Sequence, residues 1–326
     1  MRTSLGIGIS LVVAAAGIFA FSPRESALMA ERYIPVNNMN ITSIHSTSAG
    51  LVVAGELGHI LVSDDEGKSW QKAQLSEQRH ALITQIEFED KDFGLATGHE
   101  GWVLRTTDGG RTWREVSFDD ERNEPIMSVK RLPSGDWLAV GAFGKVLTSD
   151  DEGLSWNPQS PPGGTDWHLN ALIPSEDQVT WLIVGEAGTV FRSVNQGQNW
   201  EKVPEFYNGS FYGGLHLGDS NWLIYGMRGN IFRSSDNGDS WKRVDFNIPI
   251  SLFTHEVLED GQILLGGQGG MILSSTDSGN SFRPVRHGGR ISLTDLHPTP
   301  TGKLLISSDK GLRSLDIKNI MQPDNT

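Results

Sequence analysis

An eight-residue phrase returns six times in this chain: SDDEGKSW (63–70), TTDGGRTW (106–113), SDDEGLSW (149–156), SVNQGQNW (193–200), SSDNGDSW (234–241) and STDSGNSF (275–282). Its closing aromatic falls at Trp70, Trp113, Trp156, Trp200, Trp241 and Phe282, in steps of 43, 43, 44, 41 and 41 residues. A period near forty with short alternating apolar stretches between copies points to a ring of repeated small sheets, one per copy.

The stretches between phrases read as strands of period two. In the first copy ITSIHS (41–46), LVVAGE (51–56), HILVSD (59–64) and SWQKAQL (69–75) follow one another as inner, second, third and outer strand. A Gly-x-x-Gly unit joins the second strand to the third, as in GELG (55–58), GHEG (98–101), GAFG (141–144), GEAG (185–188) and GMRG (226–229). Glycine there suits the positive φ of a tight hairpin. A seventh copy, ISLTDL (291–296), KLLISSD (303–309) and GLRSLDI (311–317), has neither the phrase nor an outer strand. Residues 31–37, ERYIPVN, are extended in character and are assigned to that missing place, which closes the ring and removes an open sheet edge. The fold class expected is all-β: a seven-bladed β-propeller spanning 31–318, closed by its N-terminal strand and followed by a C-terminal tail, 319–326.

Residues 1–30 differ in kind. An apolar stretch from Leu5 to Phe21 follows Arg2 and gives way to the polar SPRES, the pattern of a signal peptide or an uncleaved N-terminal anchor. The expectation is export, to the periplasm or to a membrane-anchored position facing it. That segment also offers a means of membrane association. A formal charge of −13 excludes a nucleic-acid partner, since phosphate binding needs a basic surface. The chain has no cysteine, so disulfides, thiolate metal sites and a lipidated Cys are excluded.

The phrase resembles the Asp-box, or BNR repeat. Asp65, Asp108, Asp151, Asp236 and Asp277, with Asn195 in the fourth copy, can accept backbone N–H bonds inside their own turn, the following Gly supplies positive φ, and the aromatic packs between blades. These are structural tasks, and six copies spread around a ring cannot converge on one substrate. One or two carboxylates per turn also fall short of a calcium shell, and no cofactor is expected.

A longer string, Gly-x-x-Gly followed by a few residues and the phrase, as in GEAGTVFRSVNQGQNW (185–200) and GMRGNIFRSSDNGDSW (226–241), is similar to the photosystem II stability and assembly factor-like family of BNR-repeat propellers. The resemblance covers residues 32 to 317 and implies a non-enzymatic scaffold that holds a membrane-protein subunit or exporter component, lumenal in a phototroph, as a monomeric propeller. It lacks the lipidated Cys of the phototroph pattern. The runner-up class is a glycan-active or glycan-binding propeller, sialidase-like, which would need a Tyr nucleophile from among Tyr33, Tyr207, Tyr212 and Tyr225.

In such a ring the connections between blades and the second-to-third-strand turns share one face, around the mouth of the central channel, opposite the phrase. Loops on that face carry function in scaffolds of this kind. The partner-binding candidates there are Arg79, His80, His99, Trp167, His168, Tyr207, Tyr212, Arg228, Arg286, His287 and Arg290, aromatic and Arg being the residue types that dominate docking.

Overall fold

Alternation puts one side chain in two against each neighbouring blade, so every copy of the repeat becomes a small antiparallel sheet stacked between two others. A computed structural model describes residues 35–119 and 121–321. Within them lie seven sheets, one per blade. Their inner strands are Ile41–Thr47, Ile83–Phe88, Ile126–Arg131, Leu169–Pro174, Phe211–His216, Leu252–Val257 and Leu293–Pro298, in blades one to seven. Second strands such as Trp137–Gly141, Trp181–Gly185 and Trp222–Gly226 are buried along their whole length. Their leading tryptophans fill the space between blades.

The outer strand read from 69–75 is divided. Gln71–Lys72 pairs with the third strand of its own blade, and Gln74–Leu75 crosses over to pair in parallel with Thr112–Ser117 of blade two. Blade seven has three described strands, ending with Arg313–Asp316. Residues 31–34 of the proposed closing strand lie outside the described residues. Of the remainder, the chain turns at Val36, whose carbonyl accepts a hydrogen bond from the Leu312 amide at 3.1 Å. A short helix, Ile317–Met321, follows the last strand and buries Ile320 against Leu304 and Ile306, so the packing of blade seven extends past residue 318.

The repeated phrase is a self-contained hydrogen-bonded hairpin. In the first copy Asp65 Oδ1 accepts from the Ser69 amide and the Ser63 hydroxyl, Oδ2 accepts from the Ser69 hydroxyl, and Ser63 Oγ accepts from the Gly67 amide, all at 2.7–2.8 Å. The Ser69 hydroxyl, aided by its amide, holds the Asp65 carboxyl down at about 2. Asp151 and Asp236 are held at about 2 by their counterparts Ser155 and Ser240. The later hairpins dock on the preceding blade: an added Cβ at Gly110 would meet Val52, at Gly153 Leu95, at Gly197 Leu132, at Gly238 Leu182 and at Gly279 Leu223. The aromatic closes the joint, with Trp113 in a cluster that contains Val52 and Ala54 of blade one.

The Gly-x-x-Gly turn works differently from the sequence reading. Only its second glycine takes positive φ, as at Gly144 (70°) and Gly229 (71°). The first is extended and is required by crowding: a Cβ at Gly226 would lie 2.0 Å from the Ser210 carbonyl oxygen, and one at Gly185 2.2 Å from that of His168. The residue between them is left-handed, with φ near 54° at Leu57, Glu100, Phe143 and Arg228. Every turn therefore holds one non-glycine side chain outward on a fixed backbone, except where Gly269 occupies the position.

Every inner strand also slips register one residue from its start, leaving Thr42, Thr84, Met127, Asn170, Tyr212, Phe253 and Thr294 unpaired. Four of these reach the next blade. Thr42 donates to the Ile83 carbonyl at 2.6 Å, Thr84 to Ile126 at 2.5 Å, Asn170 to Phe211 at 2.7 Å, and Thr294 to Ile41 across the closing seam.

The two glycine roles separate experimentally. Gly226→Ala, which meets a carbonyl, is expected to lose at least ~2 kcal/mol, whereas Gly302→Ala, with open space around its positive φ, should lose about 1 kcal/mol. Urea denaturation compares them; equal losses would contradict the crowding account.

Candidate functional site

Two regions of the ring carry chemistry that the fold does not consume: the face bearing the Gly-x-x-Gly turns, called the upper face here, and the central channel. On the upper face each turn packs against the neighbouring connection between blades. The Gly144 amide bonds the Trp167 carbonyl at 3.0 Å, and the Gly188 amide bonds that of Gly209 at 2.7 Å.

The sequence candidates separate there into committed and displayed side chains. Arg79 is committed: its guanidinium forms a two-pronged pair with Glu115 at 2.8 and 3.0 Å and lies 4.4 Å over the Phe118 ring. Glu115 also accepts from the Trp102 indole at 2.8 Å, so this group braces blade two. Tyr207 is packed against Phe211 and Phe232 with ring centroids 5.2 Å away, and its hydroxyl accepts from Asn230 at 3.0 Å. Its hydroxyl pKa is raised by burial. Tyr212 stands half-buried in the channel wall, 5.3 Å from Phe253. The displayed group comprises His80, Arg228, His287 and Arg290, all exposed, with His99 and Arg286 half-buried. Trp167 is half in solvent at 50% exposure. His168 is held between the Glu186 carboxylate, 3.8 Å from its Nδ1, and the Phe143 ring, 4.7 Å away and edge-on.

Phe143 is the residue that sequence reasoning missed. It is 63% exposed at the left-handed position of the blade-three turn. The available signal was the lack of any shared polarity at that position: Leu57, Glu100, Phe143, Ala187 and Arg228 have only their outward direction in common.

The channel has a volume of about 560 Å3 and is lined by all seven inner strands. It widens at the lower mouth into a cavity of about 780 Å3 under blades four to six. One layer of its wall reads, in blade order, His45, Glu87, Lys130, Ile173, Leu215, Glu256 and His297. Blades four and five present an apolar arc, and the other five present titratable groups. Lys130 pairs with Glu87 at 2.7 Å, and Ser46 bonds His297 Nε2 at 2.7 Å across the closing seam. Tyr225, its ionisation pushed up by burial, bonds His255 Nδ1 at 2.8 Å. Asp295 spans the seam, accepting from the Ile44 amide of blade one and from the Leu296 amide, both at 2.9 Å. Among the described residues no three His, Asp or Glu side chains converge as a metal site.

Burial pushes Asp295 up to about 7 against these donors, and burial together with Asp295 pushes Glu256 up to about 7. Burial, reinforced by Lys130, pushes His255 down to about 4, and burial also lowers His45 and His297. The two groups oppose one another. Carboxyls raised in the folded state add stability at low pH and lose it as pH rises toward 7; histidines lowered in the folded state add stability above 6.5 and lose it as pH falls toward 4. Removing one side exposes the other. Asp295→Asn should make stability rise more steeply between about pH 4 and 7, and a Tyr225→Phe, His255→Phe pair should make it fall. Melting temperatures across that range read both; unchanged slopes in both variants would refute the linkage.

Seven small sheets in a ring around a central channel define a seven-bladed β-propeller. The family described as photosynthesis system II assembly factor YCF48 matches over residues 11–107 and 80–203, and the chain belongs to it. Among solved structures it is similar to YCF48 bound to D1 peptide, with 18% identity, 88% of this chain and 98% of that chain covered, and a TM-score of 0.67. YCF48 from Cyanidioschyzon merolae is similar over the same shares at 14% identity, also with a TM-score of 0.67. A GH74 xyloglucanase from Xanthomonas campestris shares the fold at 12% identity, over 87% of this chain and 53% of that one, with a TM-score of 0.65. No curated protein matches the chain in sequence. At these identities the structural likeness speaks for the fold, which assembly factors and glycosidases share.

Proposed function

We propose that the protein is a non-enzymatic assembly factor, exported by its N-terminal segment, that holds a membrane-protein partner through the upper face. The observation that carries this reading is the display of Phe143 and Trp167 in solvent on turns whose backbones are fixed. Large aromatic side chains on a rigid frame are the usual anchors of protein docking. Family membership and the D1 peptide carried by a structural relative support a protein segment as the partner. The apolar stretch from Leu5 to Phe21 supports a place outside the cytoplasm.

The glycosidase alternative draws on the raised carboxyls Glu256 and Asp295. Asp295, however, has both oxygens occupied by backbone amides. Tyr207 and Tyr225 are tied into buried hydrogen bonds, and Tyr212 leans on Phe253. The hydroxyls of Tyr207 and Tyr225 are thus taken, and Tyr33 lies outside the described residues.

A photoreactive residue in place of Arg228, on the upper face, is expected to cross-link to an integral membrane polypeptide in native membranes. The same residue in place of Lys68, in a hairpin of the opposite face, is expected to give no such adduct. Mass spectrometry identifies the products; adducts from position 68 alone would overturn the docking face, and turnover of a fluorogenic sialoside or glucan would overturn the non-enzymatic reading.

A further inference from the structure

The upper face is not uniform, and its two halves differ in charge. Blades five to seven display Arg228, Arg286 and Arg290. Beside Phe143 and Trp167 stand Glu124, whose partner Lys145 lies two residues past Phe143, Asp166, which precedes Trp167 in the chain, and Glu186, next to His168. Lys145 is spent on Glu124 at 3.0 Å, and the exposed Arg122 lies in the loop that leads to Glu124. The aromatic pair therefore sits in an acidic rim.

Neither aromatic is buried by the fold where it stands. The residue two places before the inner strand is buried in blades one and two, as Met39 (0% exposed) and Ala81 (7%); in blade four it is Trp167, facing solvent. A bulky side chain at the left-handed φ of 54° is likewise strained, and Phe143 gains no burial in return. The two side chains stand on adjoining backbone, since the Gly144 amide bonds the Trp167 carbonyl. The His168 ring, held by Glu186, buttresses Phe143 from the side.

We propose that this patch is an anchor subsite for a basic apolar segment of the partner: an aliphatic or aromatic side chain lies against Phe143 and Trp167, and flanking Lys or Arg residues meet Asp166 and Glu186. The inference rests on the docking role of the upper face and specifies its partner chemistry. Apolar contact supplies the affinity, and the acidic rim selects the charge and rejects an acidic segment.

The test uses the full chain labelled with 5-fluorotryptophan, in which Trp167→Phe identifies the Trp167 fluorine signal. The probes are blocked pentapeptides Lys-Leu-Phe-Lys-Leu, Glu-Leu-Phe-Glu-Leu and Lys-Gly-Ser-Lys-Gly. The first is expected to move the Trp167 signal, and the other two are not. Phe143→Ala should weaken binding roughly tenfold, and Asp166→Asn with Glu186→Gln about threefold or more, with the remaining binding less sensitive to salt. Equal binding of the acidic peptide, or an unchanged affinity in Phe143→Ala with the other fluorine signals intact, overturns the proposal. If the peptide result is negative while position 228 still cross-links to a membrane polypeptide, the subsite fails and the docking face stands; if both are negative, both fail.

Discussion

The ring depends on one joint, repeated: a serine or threonine hydroxyl and an aspartate carboxylate fold a hairpin tightly enough that its glycine can rest on the second strand of the preceding blade. Ser149, Asp151 and Gly153 do this against Leu95, and Ser234, Asp236 and Gly238 against Leu182. A side chain on that glycine would hold the blades apart. The hairpin is therefore both a local turn and, in blades two to six, a spacer that sets the interval to the preceding blade. Three of the roughly four lone-pair sites of its carboxylate are taken by its own turn, as at Asp65 and Asp151.

Toward the axis the same separation of duties weakens. The register slip in each inner strand frees one side chain per blade, and Thr or Asn there ties that strand to the next one. Met127, Tyr212 and Phe253 hold the same position without making such a tie and line the channel. Deeper in, the closing seam relies on Asp295 and His297, where the seam between blades two and three uses the neutral Gln85 to accept the Val129 amide. Ionisable groups thus line the arc from blade six through the closing seam to blade three.

Much of this was legible because geometry dictates residue type. Gly fits the hairpin joint, a short hydroxyl with a carboxylate or amide folds it, and an aromatic closes it, so six of the seven blades and the two faces followed from the phrase. The candidate site was less legible for a physical reason: commitment is a tertiary property. Arg79 and Trp167 look equally suited to binding in sequence, yet Arg79 meets Glu115 from the next blade while Trp167 meets solvent. Tyr207 resembled a docking residue and is packed among phenylalanines. The first glycine of each turn was read for φ, where the restriction is the approach of a carbonyl from a strand about fifteen residues away, as with Ser210 at Gly226. The channel layer needed the register slip, which no local pattern announces.

The left-handed turn position has one more consequence. Its backbone conformation recurs with Leu57, Glu100, Phe143 and Arg228, four side chains with no chemistry in common. The backbone of the turn is thus set by the glycines and hydrogen bonds around that position and not by its occupant, so a mutation there changes what the face offers more than what the ring is. The propeller behaves as a keyboard with one key per turn: new recognition can arise by single, uncoupled substitutions, and related chains can diverge in partner while their blades stay superimposable.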